Sequence, residues 1–196
     1  SRLQHLIWDC WGIRRGVVDN DHLLPQALAL AADRSFRYLC QKSALALFAL
    51  NGFRLFNWHI PALWRVPLLW SLYLSSWLIN FGFLLYGLQT QLGIPVLLTL
   101  HLFTIGGIGL MTVGMMSRVA LGHTGRDIKS TSPWLNAVFT LIAASALFRV
   151  VFPLFSMQNY TGWVVVSALL WMIGFAIFLV VYAPILCKPR VDGTYG

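Results

Sequence analysis

The chain has 196 residues, 58% of them hydrophobic and 10% charged, with a mean hydropathy of +0.72; a water-soluble domain of this length is closer to half apolar and a quarter charged. Fourteen Lys and Arg against six acids give a formal net charge of +8. No basic stripe with interleaved aromatics accompanies that charge, which argues against nucleic acid and leaves basic residues between membrane spans as its explanation.

Residues 1–37 carry turn residues and charges of both signs, as in "IWDCWGIRRGVVDNDHLLPQ". They read as a non-spanning N-terminal segment, in which "PQALALAADRSFRYL" suits a short amphipathic helix. The chain begins with Ser and shows no signal peptide, as expected of a fragment or a processed product.

Residues 38–187 read as an all-α, polytopic transmembrane bundle of about five spans. The first, 38–57, includes Lys42 and Arg54, long basic chains that can snorkel to the interface. The second, 66–88, is "VPLLWSLYLSSWLINFGFLLYGL" and carries no charge. The third, 96–117, is "VLLTLHLFTIGGIGLMTVGMMS", whose glycines suit close helix packing in lipid. The fourth, 133–155, opens with Pro133 at a first-turn position and contains Arg149. The fifth, 160–184, is uncharged and stops at "YAP". Residues 188–196 make a short tail.

Loops 89–95 and 156–159 hold no Lys or Arg, whereas Arg54, Arg65, Arg118, Arg126, Lys129, Lys188 and Arg190 fall on the opposite side. That side is assigned to the cytoplasm, and the C-terminus with it. Arg14, Arg15, Arg34 and Arg37 break the pattern if 38–57 spans, so either upstream helices set the topology or the first span is misassigned. Cys10, Cys40 and Cys187 are scattered, with no spacing for a disulfide framework or a cluster.

An ionisable residue inside a bilayer is a functional hypothesis by default. His101, Arg149 and Asn80 lie about six to eight residues from the outer ends of their spans, a depth of roughly 10 Å, and are expected to form one polar layer. All six acids are Asp and none lies in an apolar run, so Arg149 has no carboxylate partner within the spans. It either snorkels to the headgroups or meets an anionic ligand, such as a cofactor carboxylate. His101 is either a hydrogen-bonded structural residue or a ligand for iron or copper. The same lack of acids disfavours a proton-coupled pump.

His101, Ile108, Thr112 and Met115 share one face of the third helix, with Gly106, Gly107 and Gly114 roughly opposite. The helix runs into "GMMSRVALGHTGRD". Gly122 and Gly125 bracket His123 and Thr124, and positive φ at such glycines would fold the loop back and aim His123 inward. With Arg126, the backbone N–H groups of such a turn would cradle an anion; alternatively this is a polar interfacial turn. His123 and His101 are about 33 Å apart along a straight helix, too far to share one metal. No Gly-rich phosphate loop, hydrolase elbow or HExxH occurs.

The block "HLFTIGGIGLMTVGMMSRVALGHTGRDI" resembles the signature of the NnrS family of membrane proteins. "FRLFNW", "PLLWSLYLSSWL", "ALFRVVFP" and "LLWMIGFAIFLVVYAPILCKPRVDG" extend the resemblance over residues 44–193. Family chains are longer, and this one resembles their C-terminal half, so an N-terminal half is an implied partner. The resemblance implies a haem- and copper-containing protein of the bacterial inner membrane, associated with resistance to nitric oxide and nitrosative stress, with nitric oxide a small ligand. By the same resemblance His101 and His123 become metal or haem contacts, with Met115 a further one. Arg118, Arg126 and Arg149 match family positions suited to haem propionates. Family members often carry "LHL" in the second helix, where this chain has Tyr73. The reading from a different class is a cofactor-free permease or assembly subunit, in which Arg149, Asn80 and the GHTGR turn contact an anion or a partner.

Overall fold

An apolar run in lipid has no water to satisfy its peptide groups, so each run closes its own hydrogen bonds as a helix. The computed structural model describes residues 23–127, 132–189 and 191. Among them there are five helices and no strand. Residues 1–22, and with them most of the predicted N-terminal segment, lie outside the described residues, as do Lys129 and Arg190.

The chain divides after Leu39. The first unit contains the start of α1 (Leu23–Asn57), where Asp33 and Arg37, one turn apart, pair at 2.6 Å. An exposed pair of this kind stabilises a helix by about 0.3–0.5 kcal/mol.

The second unit holds the rest of α1 and four further helices. These are α2 (Pro67–Leu92), α3 (Val96–His123), α4 (Trp134–Phe155) and α5 (Tyr160–Cys187). All four are long and apolar enough to cross a membrane. α1 covers the predicted 38–57 span but is not one of them: Gln41, Lys42, Asn51 and Arg54 dilute its apolar run.

Each helix end has a local cause. Pro67 starts α2 after an extended Val66, and Gly93 ends it at φ 63°; glycine adopts that left-handed conformation without a Cβ clash. α3 runs six residues past the predicted 117. It ends in a full Schellman cap: Arg126 N–H donates to the Leu121 carbonyl at 3.0 Å and Gly125 N–H to the Gly122 carbonyl at 3.3 Å, with Gly125 at φ 68°. The expected pair of loop glycines is therefore corrected. Gly122 is helical, and Gly125 alone of the two makes the turn.

Packing follows the small residues. Gly82 admits the Phe103 ring and Gly107 admits Ile79, drawing α2 and α3 together. Gly106 faces Ala146 of α4, and Gly174 of α5 faces Ile142. Lipid supplies no hydrophobic drive between helices, so such close van der Waals contact is what holds them. Leu110, Val113, Val138, Phe139 and Ile142 are fully buried between them.

Two irregularities bracket the polar residues. Leu102–Gly109 of α3 is a π-helix; three glycines in it carry no Cβ to resist the wider turn, and π segments concentrate at functional sites. Pro153 lies inside α4 and has no N–H to give the Arg149 carbonyl, which loosens that last turn.

Candidate functional site

His101 ends the regular first part of α3, one residue before the π segment. Arg149 lies on α4, four residues before Pro153. The antiparallel packing of α3 and α4 brings them together: Arg149 Nη2 lies 3.1 Å from His101 Nε2. Both side chains are half-buried.

Guanidinium has donors and no acceptor, so Arg149 donates and His101 Nε2 accepts. The ring is then neutral with its proton on Nδ1. The Leu97 carbonyl, one turn earlier, faces the ring without closing a hydrogen bond to Nδ1. Nδ1 and Arg149 Nε are both buried without a hydrogen-bond partner. Such groups cost about 1–3 kcal/mol each when left unpaired.

Arg149 also lines a cleft of about 380 Å³ between α3, α4 and α5, with Thr104, Ile105, Ser145, Trp171 and Met172 around it. One cation and two serines, Ser145 and Ser167, give this cleft a polar floor within mainly apolar walls.

Asn80 does not join the expected layer. α2 continues to Leu92, so Asn80 sits mid-helix, against Gly52 of α1. It is 1% exposed, and neither amide atom has a hydrogen-bond partner.

The remaining predicted residues lie elsewhere. Met115 is 45% exposed and, with Ile108 and Thr112, faces away from the bundle. Gly106, Gly107 and Gly114 face inward, as the helical spacing requires. His123 and Arg118 are exposed at the far end of α3, about 33 and 25 Å from His101 along the helix. Arg126 donates to the Ile185 carbonyl near the end of α5 at 3.2 Å, and Val191 N–H donates to the Thr124 carbonyl at 3.2 Å. The GHTGR turn thus fastens α3 to the end of α5, and a group held by His101 is out of its reach.

Tyr73 donates to the Leu55 carbonyl at 3.3 Å. Its ring packs beside His59 and Trp64, with centroids 5.9 and 6.0 Å away. Sequence reasoning missed His59; its place directly after the "FRLFNW" block was the available signal.

Among the described residues no three His, Cys, Asp or Glu converge on one point. The donor set does fit a haem held by one imidazole: His101 offers a neutral nitrogen lone pair, and Arg149 has an unpartnered buried N–H for an acidic edge.

The family described as NnrS protein matches residues 12–190. No curated protein and no solved structure matches the chain.

Proposed function

The chain belongs to the NnrS family, a family of membrane proteins related to the nitric oxide response, and from that premise we propose that it binds haem through His101. The contact between His101 and Arg149 carries this reading. It puts an unprotonated imidazole nitrogen and a cation side by side between two spans, with no carboxylate in any of the predicted spans to neutralise the cation.

His101 would hold the iron, and Arg149 would receive an acidic side group of the ring. The bound haem would supply an iron site able to take up a small diatomic ligand such as nitric oxide. The apolar walls of the cleft exclude water and favour both the ring and a neutral diatomic ligand. Arg118, Arg126 and His123 belong to the other end of the bundle. There, with Arg54, Arg65 and Lys188, they support an orientation with that end and the C-terminus in the cytoplasm of a bacterial inner membrane.

The test is an absorption spectrum of the detergent-purified chain, oxidised and then dithionite-reduced, with iron measured on the same sample. A Soret band that shifts on reduction, with iron near one per chain, is expected for the wild type and is lost in His101→Ala. A band that survives in His101→Ala moves the iron to another residue. A colourless, iron-free wild type returns Arg149 and its cleft to the cofactor-free permease reading.

A further inference from the structure

Arg149 does more to His101 than lie beside it. A neutral imidazole carries its proton on one nitrogen, and the hydrogen bond made by the other nitrogen decides which. Here Arg149 claims Nε2 at 3.1 Å, while Nδ1 has no partner that would compete for the opposite arrangement. A metal-bound histidine needs the same arrangement, with one bare nitrogen and the proton on the other.

We propose that Arg149 is a positioning residue that stores His101 in the metal-ready tautomer and gives up Nε2 when a metal takes it. The exchange moves no proton. The hydrogen bond from Arg149 to Nε2 breaks, a metal–nitrogen bond forms, Nδ1 keeps its hydrogen, and the guanidinium keeps its charge. Arg149 already lines the cleft beside Ser145 and Thr104, so it is released toward a space that can take the anionic edge of the incoming group. The storage step stands on the observed contact alone; the release step rests on the haem reading.

The first experiment reads the tautomer without any cofactor. The chain is labelled at histidine with 13C and 15N, placed in lipid bilayers, and examined by solid-state NMR. His101→Gln identifies the signal among the five histidines. The expected result is a proton on Nδ1 in the wild type and in Arg149→Lys, which keeps a donor-only cation, and a shift to Nε2–H in Arg149→Leu. A wild-type proton on Nε2, or an unchanged Nδ1–H in Arg149→Leu, overturns storage. A wild-type proton on Nε2 overturns storage even if the leucine variant fails to fold.

The second experiment titrates ferric haem and its dimethyl ester into wild type and Arg149→Leu. Wild type should bind the free acid about tenfold more tightly than the ester, the effect of one charge-assisted contact, and the variant should lose that preference. Equal affinities in the wild type overturn release. Nδ1–H in a wild type that binds no haem supports storage, overturns release and refutes the haem reading itself.

Discussion

Ser145 of α4 and Ser167 of α5 exchange hydrogen bonds across the cleft floor. Each hydroxyl donates to the other residue's carbonyl at 2.9 Å, and the two oxygens lie 3.1 Å apart. Both residues are buried, and they join α4 to α5 one helical turn from Arg149. Interhelical hydrogen bonds in lipid contribute about 0.6 kcal/mol, with a ceiling near 1.7. Ser145→Ala should therefore lower stability by about that amount. The double change with Ser167→Ala should cost less than the sum of the singles, since the two hydroxyls also touch each other and that contact is lost in either single variant. Thermal unfolding in detergent measures both; strictly additive losses would show that the two hydroxyls act independently.

Gly107 and Gly122 lie on the same helix and should respond oppositely to alanine. A Cβ at Gly107 would run into Ile79, whereas at Gly122 it meets nothing within 4 Å. Overpacking costs about 1–3 kcal/mol, so Gly107→Ala should destabilise, and Ile79→Ala in the same chain should recover part of the loss. Gly122→Ala should be neutral or stabilise by up to about 1 kcal/mol through helix propensity. Unfolding midpoints of the three variants check this, and a stable Gly107→Ala with unchanged packing would refute the close approach of α2 and α3.

Much of this architecture was legible in the sequence, because hydropathy and helical period depend on local order alone. The predicted 96–117 span falls within α3 and the predicted 133–155 span matches α4 to within one residue, and Gly106, Gly107 and Gly114 face the interior as their spacing requires. His101 and Arg149 were both visible as ionisable residues in apolar runs at similar depth. Their contact also needed the packing of α3 on α4, which Gly106 against Ala146 helps set. The turn at residues 122–126 was misread for a physical reason. Two glycines near a helix end look alike in sequence, but one Schellman cap needs positive φ at one residue, here Gly125. Asn80 was placed too near the surface because Gln89, Thr90 and Gln91 read as loop, whereas α2 includes them. The Ser145–Ser167 pair gave no signal, since each serine is ordinary by itself and only tertiary pairing gives it a role.

The cap at the end of α3 should be a point of weakness when altered. Alanine at Gly125 must adopt φ 68°, at a cost of roughly 1–2 kcal/mol. Arg126→Ala removes the bond to the Ile185 carbonyl, worth about 1.5–3 kcal/mol for a charged donor at a partly buried site. Both changes should raise amide exchange at the ends of α3 and α5 together, while leaving the region around His101 unaffected. Exchange confined to one helix end would show that the turn does not fasten the two.

Asn80 offers the clearest separation of stability from function. Its side chain is 1% exposed and both amide atoms lack hydrogen-bond partners, so the folded protein carries the desolvation cost of an amide without the bonds that offset it. Leucine has the same branched heavy-atom skeleton, with bulkier methyl groups, and no polar atom to satisfy. Asn80→Leu should raise stability by about 1–3 kcal/mol, the range for relieving a buried unpaired polar group. A residue retained at that cost is expected to serve activity, as at other sites where stability and function trade against each other. The decisive comparison is unfolding midpoint against the protection of cells from nitric oxide that the family resemblance implies, for wild type and Asn80→Leu at equal expression. A more stable variant with impaired protection assigns Asn80 a functional contact. A more stable variant with full protection makes it a tolerated defect in packing. A destabilised variant would mean that the amide makes bonds in the membrane that the isolated chain does not make.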